Sequence, residues 1–206
     1  MSLGRRFARL ATDAVVRRPA LWRLFRGALR RQFERLAPVW DEMRSPGHLA
    51  SFEAALDAVP EQPRRAVDVG TGTGAAAVAM AKRWPEAEIV GVDVAEAMLE
   101  QARAKLPAEL AERVSFVAGD SASLPFADGS FDLVGLANMI PFFAELDRVL
   151  MPGGHVVFGW SVGPATPIYV PPERLRAELE RRRYEGFHEV EVAPGTAFLA
   201  RKGDRR

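Results

Sequence analysis

In the first third of the chain apolar residues recur at helical spacing: Phe7, Leu10 and Ala14, then Leu21, Leu24, Phe25, Leu29, Phe33 and Leu36, with a break at Pro19. The pattern predicts helices over 5–18 and 20–36, a turn at 45–47, and a helix over 48–59 that Pro60 and Pro63 end. From residue 65 the pattern changes. "RAVDVG" (65–70) and "AEIVGVDV" (87–94) are short, β-branched and nearly all apolar, as strands buried on both faces require. Between them "TGAAAVAMAKRW" (73–84) is a small-residue helix stopped by Pro85.

The alternation continues with a helix over 95–105, a strand at "RVSFVAG" (113–119), a loop over 120–130 and a strand at "FDLVGLA" (131–137). A short helix over 143–150, a turn at "MPGG" (151–154) and a strand at "HVVFGW" (155–160) follow. A helix within 171–184 and two strands joined at 194–196 end the chain. The expectation is an α/β fold: a doubly wound, Rossmann-like, seven-stranded mixed sheet with an antiparallel edge hairpin and an N-terminal helical cap. Residues 1–50 are expected to form the basic cap and 51–206 the ligand-binding domain, together a single compact unit.

Composition narrows the chemistry. The 206 residues are 48% hydrophobic and contain no cysteine, which excludes thiol catalysis and fits a cytoplasmic protein. Three dispersed histidines, His48, His155 and His188, give no metal-ligand spacing, so no metal is expected. No stretch is long and apolar enough to span a membrane, and no compact apolar block marks a secretory leader. The net charge of +1 hides an asymmetry: ten arginines against Asp13 and Glu34 put residues 1–35 at +8 and leave the rest near −7. Such an arm can lie on the protein itself or meet an anionic membrane surface; nothing signals nucleic acid.

Gly70, Gly72 and Gly74 follow the first strand, where a doubly wound sheet opens toward its ligand. Asp68, Asp93 and Asp120 fall at three successive strand ends. Asp68 would repel a pyrophosphate, so the ligand should carry positive charge near Asp68, hydroxyls near Asp93 and a nitrogen donor near Asp120. The plainer alternatives are a tight turn without ligand and solvated or capping acids.

"DVGTGTG" (68–74), "GVDVAEAML" (91–99), "GDSASLPFADGSFDLV" (119–134) and "DRVLMPGGHVVF" (147–158) stand in the order found in one family. From Phe33 to Lys202 the chain resembles the class I S-adenosylmethionine-dependent methyltransferases, in their small-molecule (type 11-like) group. The resemblance implies S-adenosyl-L-methionine as cofactor. Asp68 and the loop Gly70, Thr71, Gly72 and Gly74 would hold its methionine part, Asp93 its ribose, and Val94 and Met98 would border the adenine. Asp120 would receive the adenine amino group with Ser121 beside it, and Asn138 would lie near the methionine end. Met98 also reads as a core methionine, Asn138 as a strand-end cap, and Phe126 as a loop anchor. Trp40, in "FERLAPVWDEM" (33–43), would border the reacting centre.

Methyl transfer from a sulfonium needs alignment more than proton transfer, so the catalytic residue is the least legible part. Asp41, His48 and Tyr169 are weak candidates. The segment after the fourth strand is short, so the acceptor pocket should borrow walls from residues 1–50 and 161–172. Phe7, Phe25, Phe33, Trp40, Phe142, Phe143, Trp160, Ile168 and Tyr169 favour a small, partly apolar acceptor. The chain would act as a monomer or homodimer. The alternatives are a protein that binds the cofactor without turnover and serves as partner or regulator, and a NAD-dependent oxidoreductase, against which Asp68 and Ala75 argue.

Overall fold

The computed structural model describes residues 3–204, with side chains from Arg9 onward. Seven strands form one sheet: β1 (Arg65–Val69), β2 (Glu88–Asp93), β3 (Val114–Ala118), β4 (Phe131–Ala137), β5 (Leu150–Trp160), β6 (Tyr184–Val192) and β7 (Gly195–Lys202). Their order is β3-β2-β1-β4-β5-β7-β6; the first five are parallel, and β7 runs antiparallel between β5 and β6. The expected sheet and edge hairpin are therefore present. The order reverses between β1 and β4, which places the ligand crevice beyond their carboxyl ends.

Strand alternation sorts the helices onto two faces. Ala66, Ile89, Leu133 and Val157 share a cluster with α3 (Ala50–Asp57), α4 (Ala75–Arg83) and α5 (Glu96–Lys105), through Phe52, Leu56, Met80 and Leu99. Val67, Val69, Val90, Val92 and Val134 share the other with α1 (Leu3–Arg17), α2 (Trp22–Leu36), α6 (Phe143–Val149) and α7 (Pro172–Glu180). Burying apolar side chains on both faces is the main term holding such a sheet together, at roughly 25 cal/mol per Å².

The N-terminal helices lie on the body of the protein. Val15, Val16 and Trp22 are buried in the second cluster, and the Arg9 guanidinium donates to the carbonyls of Pro164, Thr166 and Tyr169. Among the described residues no helix is long and apolar enough to cross a membrane.

One expectation is corrected. Residues 151–154 are not a turn but part of β5, which starts at Leu150; the register slips between Leu150, opposite Phe131, and His155, opposite Leu133. The extra residues are taken up as a bulge, which bends the strand without ending it.

Candidate functional site

The loop after β1 is tied to the next strand: Gly70 and Thr71 both donate their N–H to the Val92 carbonyl, at 2.8 and 2.9 Å. Gly70 has φ +75° and Gly74 φ +85°, the left-handed region that an L side chain adopts only with strain. Both are also crowded. A Cβ at Gly70 would lie 2.6 Å from Met139 Sδ, and one at Gly74 would lie 2.9 Å from the Phe116 ring, so these glycines let β4 and β3 close on the loop.

Asp68, next to last in β1, is 1% exposed. Its Oδ2 accepts from the Thr71 hydroxyl at 2.7 Å, while Oδ1 is buried without a partner among the described residues. Burial pushes this carboxyl up to about 6, against the pull of the Thr71 and Ala77 hydrogen bonds and of Arg44. Asp93 ends β2 and is used twice, its Oδ2 accepting from Gly72 N–H and its Oδ1 from Ala95 N–H, both at 2.9 Å. It thereby pins the glycine loop and the start of α5 together.

Arg44 is a residue that the sequence reading missed. With Asp68, Gly70, Thr71 and Asn138 it lines a narrow cleft of about 10 Å³ at the β1/β4 switch point. Its guanidinium lies 5.4 Å from the Trp40 ring centroid, and its Nη1 is 3.2 Å from His48 Nε2. Burial lowers the Arg44 pKa, while Asp41 and Asp68 oppose the shift. The only local clue was Trp40 one turn before Arg44; the approach to Asp68 exists only once residues 37–49 fold over the loop. Trp40 itself has a buried indole N–H without a partner among the described residues, facing Gly72.

The other expected site residues divide. Asn138 has φ +55° and accepts from Ser161 N–H at 3.0 Å and from the Ser161 hydroxyl at 3.2 Å, so it links the ends of β4 and β5 while lining the cleft. Met98 is buried with Ala37 and Ala95 beneath Phe33 and Trp40, and Val94 is half-buried beside them. Ser121 is buried, and Phe126 packs edge-on against Phe131 at 4.8 Å, as a loop anchor would. Asp120 is already satisfied: Oδ1 accepts from Trp22 Nε1 at 2.7 Å and from Ala122 N–H at 2.9 Å, and Oδ2 from Arg26 at 3.1 Å.

Asp41 and His48 are engaged through their polar atoms, and Tyr169 through its ring. Asp41 accepts from Thr73 Oγ1 at 2.5 Å and Lys105 Nζ at 2.6 Å; burial raises its pKa, but these bonds together with the Lys105 and Arg44 charges hold the carboxyl low. His48 Nδ1 faces the Ser45 carbonyl at 3.2 Å, and burial and Arg44 lower its pKa, so the ring is neutral at pH 7. Tyr169 is packed between Trp160 and Arg9.

Of the residues expected to wall one acceptor pocket, Phe25, Phe142, Phe143, Trp160, Ile168 and Tyr169 share one core cluster, in which Phe142 meets Trp22 and Trp160 meets Tyr169, whereas Phe33 packs on Trp40 in a separate one. Phe7 lies outside the described side chains. Composition alone could not separate them, because their grouping depends on which sheet face each helix covers. Among the described residues no cluster of three or more His, Asp or Glu could hold a metal ion.

A doubly wound sheet with a buried acid, a left-handed glycine loop and an arginine at its switch point is the arrangement to compare with known proteins. Residues 66–154 match the family model described as a methyltransferase domain. The chain is 40% identical over 129 residues to the demethylmenaquinone methyltransferase of Deinococcus radiodurans, and 41% identical over 140 residues to that of Thermus thermophilus. Over residues 66–154 the chain is similar to the class I S-adenosylmethionine-dependent methyltransferases. These alignments take in 59% and 61% of this chain but only 53% and 62% of the relatives' lengths. In fold it resembles the S-adenosylmethionine-dependent methyltransferase of Aquifex aeolicus, with a TM-score of 0.64 at 18% identity, covering 78% of this chain and 95% of that one.

The residues present fit the family's cofactor. The unpartnered Asp68 Oδ1 and the unpartnered Trp40 indole N–H border the same loop, and Arg44 supplies a cation beside the buried acid. Burying such groups unsatisfied costs free energy that a ligand recovers.

Proposed function

We propose that the chain transfers a methyl group from S-adenosylmethionine to a small, largely apolar acceptor. The observation that carries this reading is the pairing of Asp68 and Arg44 across the cleft at the β1/β4 switch point. Opposite charges on one narrow cleft suit a zwitterion: the α-ammonium of a methionine group at Asp68 and its α-carboxylate at Arg44. A pyrophosphate, by contrast, would meet the buried carboxylate.

In this reading Gly70, Thr71, Gly72 and Gly74 bring main chain against the methionine part, and Asp93 receives the ribose hydroxyls on lone pairs not used by Gly72 and Ala95. Val94, Met98, Asp120 and Ser121 define the adenine end, and Asn138 the methionine end. The cleft is too small for an amino-acid group as it stands, so residues 37–49, which carry Trp40, Arg44 and Leu49, must lift and close again. The bound cofactor supplies a methyl carbon already activated by its sulfonium. The chain's own residues then orient the acceptor and exclude water.

The relatives named as demethylmenaquinone methyltransferases favour a quinone-like acceptor. We place the protein in the cytoplasm, as monomer or homodimer, with residues 1–50 as a cap over 51–206 whose arginines can meet an anionic membrane surface. The test is transfer of label from methyl-labelled S-adenosylmethionine to a short-chain demethylmenaquinone, with binding of the cofactor followed by calorimetry. Binding without labelling of this or any other small molecule of a cell extract would favour a partner or regulator over an enzyme.

A further inference from the structure

A cavity of about 780 Å³ lies between the α1–α2 elbow and the segment after β4. It is a separate space from the cleft: Asp120 is on its wall, but Asp68, the glycine loop and Asp93 are not. Its apolar lining includes Val16, Pro141, Phe142 and Phe143, all buried.

The charges on the wall are unevenly matched. Its three acids are already engaged: Asp120 by Trp22 and Arg26, Glu145 by Arg148 and the Leu124 N–H, and Glu178 by Arg181 and Arg182. Arg26 and Arg182 are consumed in those pairs. Arg17 and Arg23 face the same cavity and have no carboxylate partner among the described residues. The start of α2 lines it too, but its Trp22 N–H already donates to the Pro19 and Ala20 carbonyls of the preceding turn, which leaves the two guanidinium groups as the unmatched charge.

We propose that this cavity binds the phosphate group of an amphiphile, with Arg17 and Arg23 holding the anion and the Phe142–Phe143 side receiving its apolar chain. Two guanidinium forks match a phosphate monoester better than a neutral head. The cavity is far larger than the anion, and its apolar lining requires a hydrophobic body to fill it. The glycine loop and Asp93 do not line this site; Asp120 alone is shared with the adenine end of the proposed cofactor site.

The probe is octyl phosphate, titrated calorimetrically into the full chain beside octyl glucoside and inorganic phosphate. Octyl phosphate should bind with 1:1 stoichiometry and more tightly than either comparator, and the double variant R17Q/R23Q should weaken it by about tenfold or more. A144W, which narrows the cavity and leaves its charges in place, should weaken octyl phosphate as well. Unchanged binding in R17Q/R23Q overturns the proposal. So does equal binding of octyl glucoside, which would mean an apolar groove, or of inorganic phosphate, which would mean surface charge alone.

Flotation with phosphatidylcholine vesicles containing phosphatidic acid identifies the source. Vesicle binding lost in both variants assigns the phosphate to a lipid headgroup; octyl phosphate binding without vesicle binding assigns it to a free amphiphile. Vesicle binding that A144W leaves intact while octyl phosphate fails to bind shows arginines reading a membrane surface, and overturns the cavity site. S-adenosylmethionine titrated into the same variants should bind as to the parent. Its failure to bind even the parent would overturn the cofactor reading and leave the cavity proposal standing.

Discussion

Trp22 on α2 donates its indole N–H to Asp120 Oδ1 at 2.7 Å, joining the N-terminal helices to the end of β3 across 98 residues of chain. Trp22 is 5% exposed, and its ring meets Phe142 edge-on at 5.3 Å, so the bond is packed as well as charged. Replacing Asp120 with Ala strands this buried donor, and urea denaturation should show a loss of about 1 to 3 kcal/mol. Trypsin should then cut more readily after Arg17. W22F keeps a ring against Phe142 while removing one of the two bonds on Oδ1, the Ala122 N–H remaining. If the adenine amino group uses that oxygen, S-adenosylmethionine should bind W22F several-fold more tightly than the parent; weaker binding would show that the indole itself touches the cofactor.

The buried Asp68 predicts a pH dependence with a definite sign. Its carboxyl is pushed up to about 6 in the folded chain from 3.8. Between these values the folded state holds a proton that the unfolded chain has released, so this group makes stability fall as pH rises from 3.8 to about 6 and adds no slope above. D68N should remove that slope and leave the protein at least as stable at pH 7. Cofactor affinity should move the other way, rising from pH 5 to pH 7, because an ammonium at Asp68 favours the ionised form. In D68N it should be about tenfold to a hundredfold weaker and lose this pH dependence.

Gly74 tests the close approach of strand and loop. G74A places a Cβ at φ +85°, 2.9 Å from Phe116 and 3.1 Å from Ala102. The left-handed backbone costs about 1–2 kcal/mol and the overpacking a further ~1–3 kcal/mol. A thermal midpoint unchanged from the parent would contradict this geometry. G47A, at φ +71° but with open space around it, should pay only the first of these costs.

The β1–α4–β2 unit was legible because strands buried on both faces read as apolar runs and the glycine loop has a characteristic spacing. The acids at the strand ends were legible for the same reason: each sits where a run stops. Arg44 was not: Trp40 one turn earlier is its one local clue, and its approach to Asp68 exists only once residues 37–49 fold over the loop. The Trp22–Asp120 bond likewise depends on which sheet face α2 covers, and no local period encodes that. The bulge at 151–154 imitates a turn, since proline and glycine interrupt a ladder and end a strand with similar residues. Grouping the aromatic residues needed the same three-dimensional information.

The last prediction concerns Asp41, which fastens the segment over the cleft. Its two oxygens take the Thr73 hydroxyl at 2.5 Å and Lys105 at 2.6 Å, tying residues 37–49 to the glycine loop and the end of α5. The Lys105 pair is partly exposed and worth about 0–1 kcal/mol, so the fastening is weak enough to open for the cofactor. D41N keeps the shape and loses the charge; stopped-flow fluorescence should show faster entry and faster release of S-adenosylmethionine, with affinity changed less than either rate. K105A should behave in the same way. With the cofactor saturating, the methyl-transfer step in D41N, H48Q and Y169F should each fall by less than about tenfold, because Asp41 and His48 are already engaged, Tyr169 is held by its ring, and alignment carries the reaction. A general base commonly contributes about 10²- to 10⁴-fold, so a loss of more than a hundredfold in one variant, with binding intact, would identify a proton acceptor and refute alignment as the main term.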